Sequence, residues 1–232
     1  MGDTKNYLII GGNSGVGQSL TEILLAENHT LTLASRKALS DGRAKSILYD
    51  ATQDELNLDD LPSALNGLVY CPGTINLKPF HRLSDQDFLE DYAINVLGAV
   101  RTIRTVLPLL KNSANAAIVL FSTVAVQQGM PFHASVASAK GALEGIVRSL
   151  AAELAPKIRV NAIAPSLTHT PLAGKLLGSD EKKKASDDRH PLKRTGESKD
   201  IANMAAYLLS DQASWITGQI FHVDGGLSSI RV

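Results

Sequence analysis

The chain has 232 residues, 44% of them hydrophobic, enough for one large domain to bury its own core without disulfide or metal staples. Its 23 basic and 23 acidic residues balance, which argues against a broad electrostatic surface for nucleic acid or anionic lipid. The single cysteine, Cys71, excludes an internal disulfide and fits a reducing compartment.

The first apolar run, Tyr7–Ile10, is too short for a signal-peptide core and is cut off by Gly11-Gly12. Met1-Gly2 resembles a myristoylation start, but Asn6 stands where Ser or Thr is needed. No later stretch reads as the ~20 apolar residues of a membrane span, so a soluble cytoplasmic protein with no membrane partner is expected. Further strand-like runs are Thr30–Ser35, Lys45–Leu48, Gly67–Tyr70, Ala116–Ser122, Arg159–Ala164 and Gln219–Val223. Helical patterns lie between them at Val16–Glu27, Asp85–Leu110, Ala137–Ala155 and Asp200–Leu209. Runs apolar throughout, such as Ala117–Phe121, suit a parallel sheet covered on both faces. The alternation predicts a single doubly wound α/β domain over residues 1–232, with a seven-stranded parallel sheet flanked by helices. One segment breaks the rhythm. The charge run Gly178–Asp188 reads as a solvated helix or loop, or as a lid over a site.

The first strand passes into the first helix through Gly11-Gly12-Asn13-Ser14-Gly15-Val16-Gly17. Gly11, Gly15 and Gly17 allow a tight turn and close approach of a pyrophosphate, at which the helix aims its free N–H groups. Placed between strand and helix, the pattern predicts dinucleotide binding on a Rossmann-type domain. At the end of the second strand, Ser35-Arg36 stands where an acidic residue would hold the adenosine ribose hydroxyls. A carboxylate would repel a 2′-phosphate, whereas an arginine fork pairs with it, and Asn13 and Ser14 could donate to the same group. NADP(H) is therefore expected, with NAD(H) possible. As an ordinary surface cation, Arg36 would set no preference.

Further markers follow in order: Asp50-Ala51, Cys71-Pro72-Gly73, Asn95 in Tyr92–Val96, Phe121-Ser122-Thr123, Lys140 in Ser138–Ala142, Asn161–Ser166, and a tail of Ile216–Gln219 with Val223–Gly226. Together they make nearly the whole chain resemble the short-chain dehydrogenase/reductase family. The resemblance implies hydride transfer between a nicotinamide and a carbonyl or alcohol carbon. It implies that a Ser positions the substrate oxygen, a Tyr gives or takes its proton, and a Lys four residues on binds the nicotinamide ribose. An Asn, here Asn95, holds a relaying water. It also implies cofactor contacts from Asp50 and Ala51 to the adenine, from the Cys71–Gly73 loop, and from Pro165, Leu167, Thr168 and Thr170 to the carboxamide and phosphates.

The family pattern fails at one position. Four residues before Lys140 stands Val136, which cannot transfer a proton, and Thr123 occupies the serine position with Ser122 beside it. Three outcomes stay open: the proton comes from His133, Ser135, Thr123 or a water ordered by Lys140 and Asn95, the hydride transfer needs less acid help, or the cofactor is bound without turnover. His133 is three residues before Val136 and would share its side if the helix begins that early; otherwise it is a loop histidine. Asn-Ala-Gly of the family is Cys71-Pro72-Gly73 here, and its Pro-Gly is Pro165-Ser166. Lys140, Glu144 and Arg148 also read as an exposed ion-pair ladder, and Asn95 as a group satisfying backbone. His169 faces either the substrate space or solvent. Small residues Ala137, Gly141 and Gly145 either pack within the domain or, as the resemblance implies, serve a dimer within a tetramer. The expected function is an NADP(H)-dependent oxidoreductase acting on a small carbonyl or alcohol substrate with a non-tyrosine proton source. The alternative is an NADP(H)-binding pseudoenzyme acting as sensor or scaffold.

Overall fold

The computed structural model describes residues 3–37 and 42–231; Met1-Gly2 lies outside them. In chain order the strands are β1 (Asn6–Ile10), β2 (Thr30–Ser35), β3 (Lys45–Leu48), β4 (Gly67–Tyr70), β5 (Ala116–Phe121), β6 (Ile158–Pro165), β7 (Thr168–His169), β8 (Gly196–Glu197) and β9 (Ile220–Val223). Seven of them form one parallel sheet in the order β3-β2-β1-β4-β5-β6-β9. Every residue of β4 and β5 is buried, as continuous apolar runs require when helices cover both faces. Register aligns the strand ends: Ile10 pairs with both Ala34 and Tyr70, and Phe121 with Ile163.

Helices α1 (Gly15–Ala26) and α6 (Ser198–Leu209) cover one face through Leu20, Leu24, Ile201, Ala205 and Leu208. Helices α3 (Gly98–Lys111) and α4 (Ala134–Leu154) cover the other through Ile103, Val106, Leu110, Leu143, Val147 and Ala151. The expected helix Asp85–Leu110 is in fact interrupted. A capping box of Ser84 and Asp87 starts α2 (Asp85–Tyr92), a π turn spans Ala93–Leu97, and α3 follows. A π turn adds a residue to the ladder and is common beside functional sites. Against expectation, the 27-residue run Asp85–Lys111 is long and apolar enough by composition to cross a membrane. Its residues Val96, Ala99, Ile103, Val106 and Leu110 are instead buried in the fold.

The charge run becomes a helix, α5 (Asp180–Arg189), capped by the Ser179 hydroxyl accepting from Lys182 N. Only Ser186 on it is buried. The short β7–β8 pair, which period-2 reading cannot detect at two residues a strand, ties Thr168-His169 to the segment after α5. His169 is exposed there, which settles its direction toward solvent.

Candidate active site

The carboxyl ends of the strands open into a cavity of about 1440 Å³, at the point where strand order reverses between β1 and β4. The glycine turn forms one end. Gly11 and Gly15 hold φ of 78° and 51°, and a Cβ on Gly17 would stand 2.2 Å from the Gly11 carbonyl oxygen. Only glycine fits Gly17, and the turn therefore brings the bare N-terminus of α1 to the cavity wall. A Cβ on Gly15 would lie 3.3 Å from Thr170, so the stretch after β6 closes against this turn from the other side.

At the rim, the Ser35 hydroxyl and the Asn13 amide both donate to the Lys37 carbonyl, at 2.7 and 2.9 Å. Asn13 thus ties the turn to the end of β2 with one amide N–H and keeps the second. Arg36 is exposed beside them and faces the cavity. Asp50 accepts from the Thr52 backbone and hydroxyl at 2.9 and 2.6 Å, and these bonds, with a small addition from Arg36, hold its carboxyl below its ordinary range.

At the far end, Lys140 is 6% exposed and donates from Nζ to the Phe121 carbonyl at 2.7 Å. Burial lowers its pKa to about 8, opposed by the nearby Asp91 carboxylate. The exposed ladder expected of Lys140, Glu144 and Arg148 does not form. Glu144 is buried, accepts the Ser122 hydroxyl at 2.7 Å and takes Arg148 at 3.3 Å. The Ser122 hydroxyl is therefore committed to α4, while Thr123 Oγ1 accepts from Ala125 N at 3.3 Å and its proton remains available to the cavity. Helix α4 starts at Ala134, three residues before the expected Ala137, so Val136 already lies in its first turn, buried and facing the cavity. His133, at the N-cap, also faces it. Because a carbonyl only accepts, His133 donates from Nδ1 to Pro131 O at 2.7 Å, which leaves Nε2 open. Ser135 is buried away from the cavity. Cys71 is held by its N–H on Ile10 O at 3.0 Å, and burial pushes its thiol up to about 12.

The cavity thus gathers Gly11, Asn13, Ser14, Gly15, Val16, Gly17, Ser35, Arg36, Asp50, Ala51, Cys71, Gly73, Ser122, Thr123, His133, Lys140, Pro165, Leu167, Thr168 and Thr170. Asn95 is the exception. It is fully buried in the π turn behind the wall, with its amide on Thr74 Oγ1 and on Asp91 O, both at 2.8 Å. Sequence reading missed a second polar pair. Ser166 donates to His190 Nε2 at 2.9 Å, because His190 Nδ1 is itself a donor to Ser186 O at 2.7 Å. All three residues face the cavity, and the Ser for Gly exchange after Pro165 was the one signal that pointed to them.

Residues 13–228 match the family model described as enoyl-(acyl carrier protein) reductase. A tropinone reductase homolog of Arabidopsis thaliana is 33% identical, the alignment covering 96% of this chain and 92% of that protein. Ligand-free aldohexose dehydrogenase from Thermoplasma acidophilum superposes with a TM-score of 0.89 at 25% identity, over 99% of this chain and 97% of that one. A 3-ketoacyl-(acyl-carrier-protein) reductase from Brucella melitensis complexed with NADH gives 0.85 at 25% identity, over 97% and 98%. With its seven-stranded parallel sheet, its glycine turn and these relatives in agreement over almost its whole length, the chain belongs to the short-chain dehydrogenase/reductase family.

Proposed function

We propose that the chain, one domain over residues 1–232, is an NADP(H)-dependent oxidoreductase acting between a small carbonyl and its alcohol, with a proton source other than tyrosine. The observation that carries this reading is the single cavity with a glycine turn at one end and the Lys140 ammonium and Thr123 hydroxyl at the other. The Gly17 close approach lets the turn fold back on itself with the N-terminus of α1 at the cavity wall, so these residues fit a dinucleotide. When bound, the nicotinamide supplies or accepts the hydride. The α1 N-terminus holds the pyrophosphate, Arg36 the 2′-phosphate, Asp50 and Ala51 the adenine, and Lys140 the nicotinamide ribose. Leu167, Thr168 and Thr170 clasp the carboxamide, beside Pro165.

Thr123, rather than the committed Ser122, donates its hydroxyl to the substrate oxygen. His133 carries the proton on Nε2, its ring aimed by the Pro131 carbonyl. Cytoplasmic location and a dimer or tetramer belong to the same reading. Exposed Leu89, Tyr92 and Leu97 on and after α2 support the oligomer, as does Gly145, whose Cβ would meet nothing. The rival, an NADP(H)-binding sensor or scaffold, draws on Val136, an inert side chain one turn before Lys140.

NADPH oxidation against a panel of aldehydes, ketones and diketones tests the reading, with Val136→Tyr and His133→Ala run beside wild type. The expected result is wild-type turnover that falls roughly 10²–10⁴-fold in His133→Ala, the usual loss when a positioned acid is removed. A silent wild type beside an active Val136→Tyr would transfer the assignment to the sensor.

A further inference from the structure

Behind the cavity wall lies a buried polar cluster that the proposed reaction leaves without a role. Asp91 in the last turn of α2 is 1% exposed, and Asn95, four residues on in the π turn, is 0% exposed. Thr74, just after Gly73, donates its hydroxyl to Asp91 Oδ1 at 2.5 Å and accepts the Asn95 amide at 2.8 Å. Two acceptors in this cluster are without a hydrogen-bond partner, Asp91 Oδ2 and Asn95 Oδ1; among the described residues the Ser135 hydroxyl shares that state elsewhere, on α4. Buried acceptors without donors are costly, and a buried carboxylate without a counter-charge far more so.

The cation lies close by. A Cβ on Gly73 would be 3.3 Å from Asn95 Oδ1 and 3.4 Å from Lys140 Nζ, so both atoms flank the same glycine. Lys140 spends one N–H on Phe121 O and keeps two. Three other ionisable groups on these elements are already committed or neutral. Glu144, one turn on along α4, is held by Ser122 and Arg148. Asp87 on α2 is taken by Lys78, Asn76 and Ser84. The Cys71 thiol is kept protonated by burial.

We propose that Asp91 is the counter-ion and positioning residue of Lys140, held in place by Thr74 and Asn95 so that the ammonium stays charged and aimed into the cavity. This rests on Lys140 as the cofactor-facing cation of the reading above. A merely structural Asp91 would cap Thr74 equally well as an amide, and only the counter-ion role requires its charge.

The test is NMR titration of Lys140 in the full chain, ligand-free, carrying ¹³C-labelled lysine and aspartate. Removing an opposite charge that lies within about 4–6 Å moves a pKa by about 1–3 units. Asp91→Asn is expected to lower the Lys140 midpoint by about one unit and to weaken NADPH, followed by its fluorescence, about tenfold near pH 8. In wild type, the Asp91 carboxyl carbon is expected to show an inflection at the Lys140 midpoint, a readout that needs no variant to fold. An unmoved midpoint in Asp91→Asn, or an Asp91 resonance blind to Lys140, overturns the counter-ion. Coupling in a wild type that binds no NADPH would uphold it and sink the cofactor reading instead.

Discussion

A methyl group on Gly17 would press against the Gly11 carbonyl at 2.2 Å, a backbone atom that cannot rotate away. Gly17→Ala is therefore expected to cost about 1–3 kcal/mol of stability, as overpacking does, and to abolish NADPH binding. Thermal melts and fluorescence titration check both effects; unchanged NADPH affinity would remove the glycine turn from the cofactor site. Arg36→Ala is expected to weaken NADPH at least tenfold and leave NADH within twofold, because only the former carries the 2′-phosphate. Equal losses would mean that Arg36 sets no preference. Residues such as Gly11, Gly17 and Lys140 are legible in the sequence because backbone geometry or motif spacing constrains them locally. Glu144, Thr74 and His190 are not: each is defined by a partner on another element. Asp91 and Asn95 had a faint signal in their four-residue spacing, which places both on one side of a regular helix.

Among the elements, the central strands follow from their apolar runs almost to the residue, since burial on both faces leaves no other pattern, while the edge strands β3 and β9 are only partly buried. The π turn escaped because Ala93–Leu97 is as apolar as an ordinary helix, and the inserted residue is a property of packing. Helix α5 shows the opposite case, an element with charged residues on all sides that owes little to an apolar face. What docks its C-terminal end is polar: Ser166 to His190, His190 to Ser186 O, and the Asp187 carboxylate accepting Thr195 N at 2.6 Å. His190→Ala is expected to cost about 1–3 kcal/mol by leaving buried partners unsatisfied, while Ser166→Gly costs about 1 kcal/mol. Urea melts give both values; a neutral His190→Ala would show that this clamp does not hold the helix.

At the scale of the whole molecule, charge is balanced only near neutrality; in acid the basic side chains are left in excess, and the loss of paired carboxylates adds to that repulsion. Asp187 is held at about 2, below its ordinary 3.8, first by the Lys183 ammonium and then by Thr195 N. A carboxyl depressed in the fold contributes stability above its unfolded pKa and loses it as pH falls through the folded one. The melting temperature is therefore expected to decline between about pH 4 and pH 2, with a shallower slope in Asp187→Asn. Identical slopes would place the acid sensitivity elsewhere. The large division of the fold, sheet and helices on one side and cavity loops on the other, was legible in the alternation of runs. Which loop atoms meet in the cavity was not, because that depends on how strand ends are aligned across the sheet.

The polar docking of α5 has a consequence for how the molecule can change over generations. Most positions along this helix point to water and contribute nothing to the two apolar layers, so they can be exchanged without melting the sheet. Its inner end nonetheless borders the cavity. Exchange at the exposed positions of α5 can thereby vary the surface beside the cavity while the two apolar layers keep their packing.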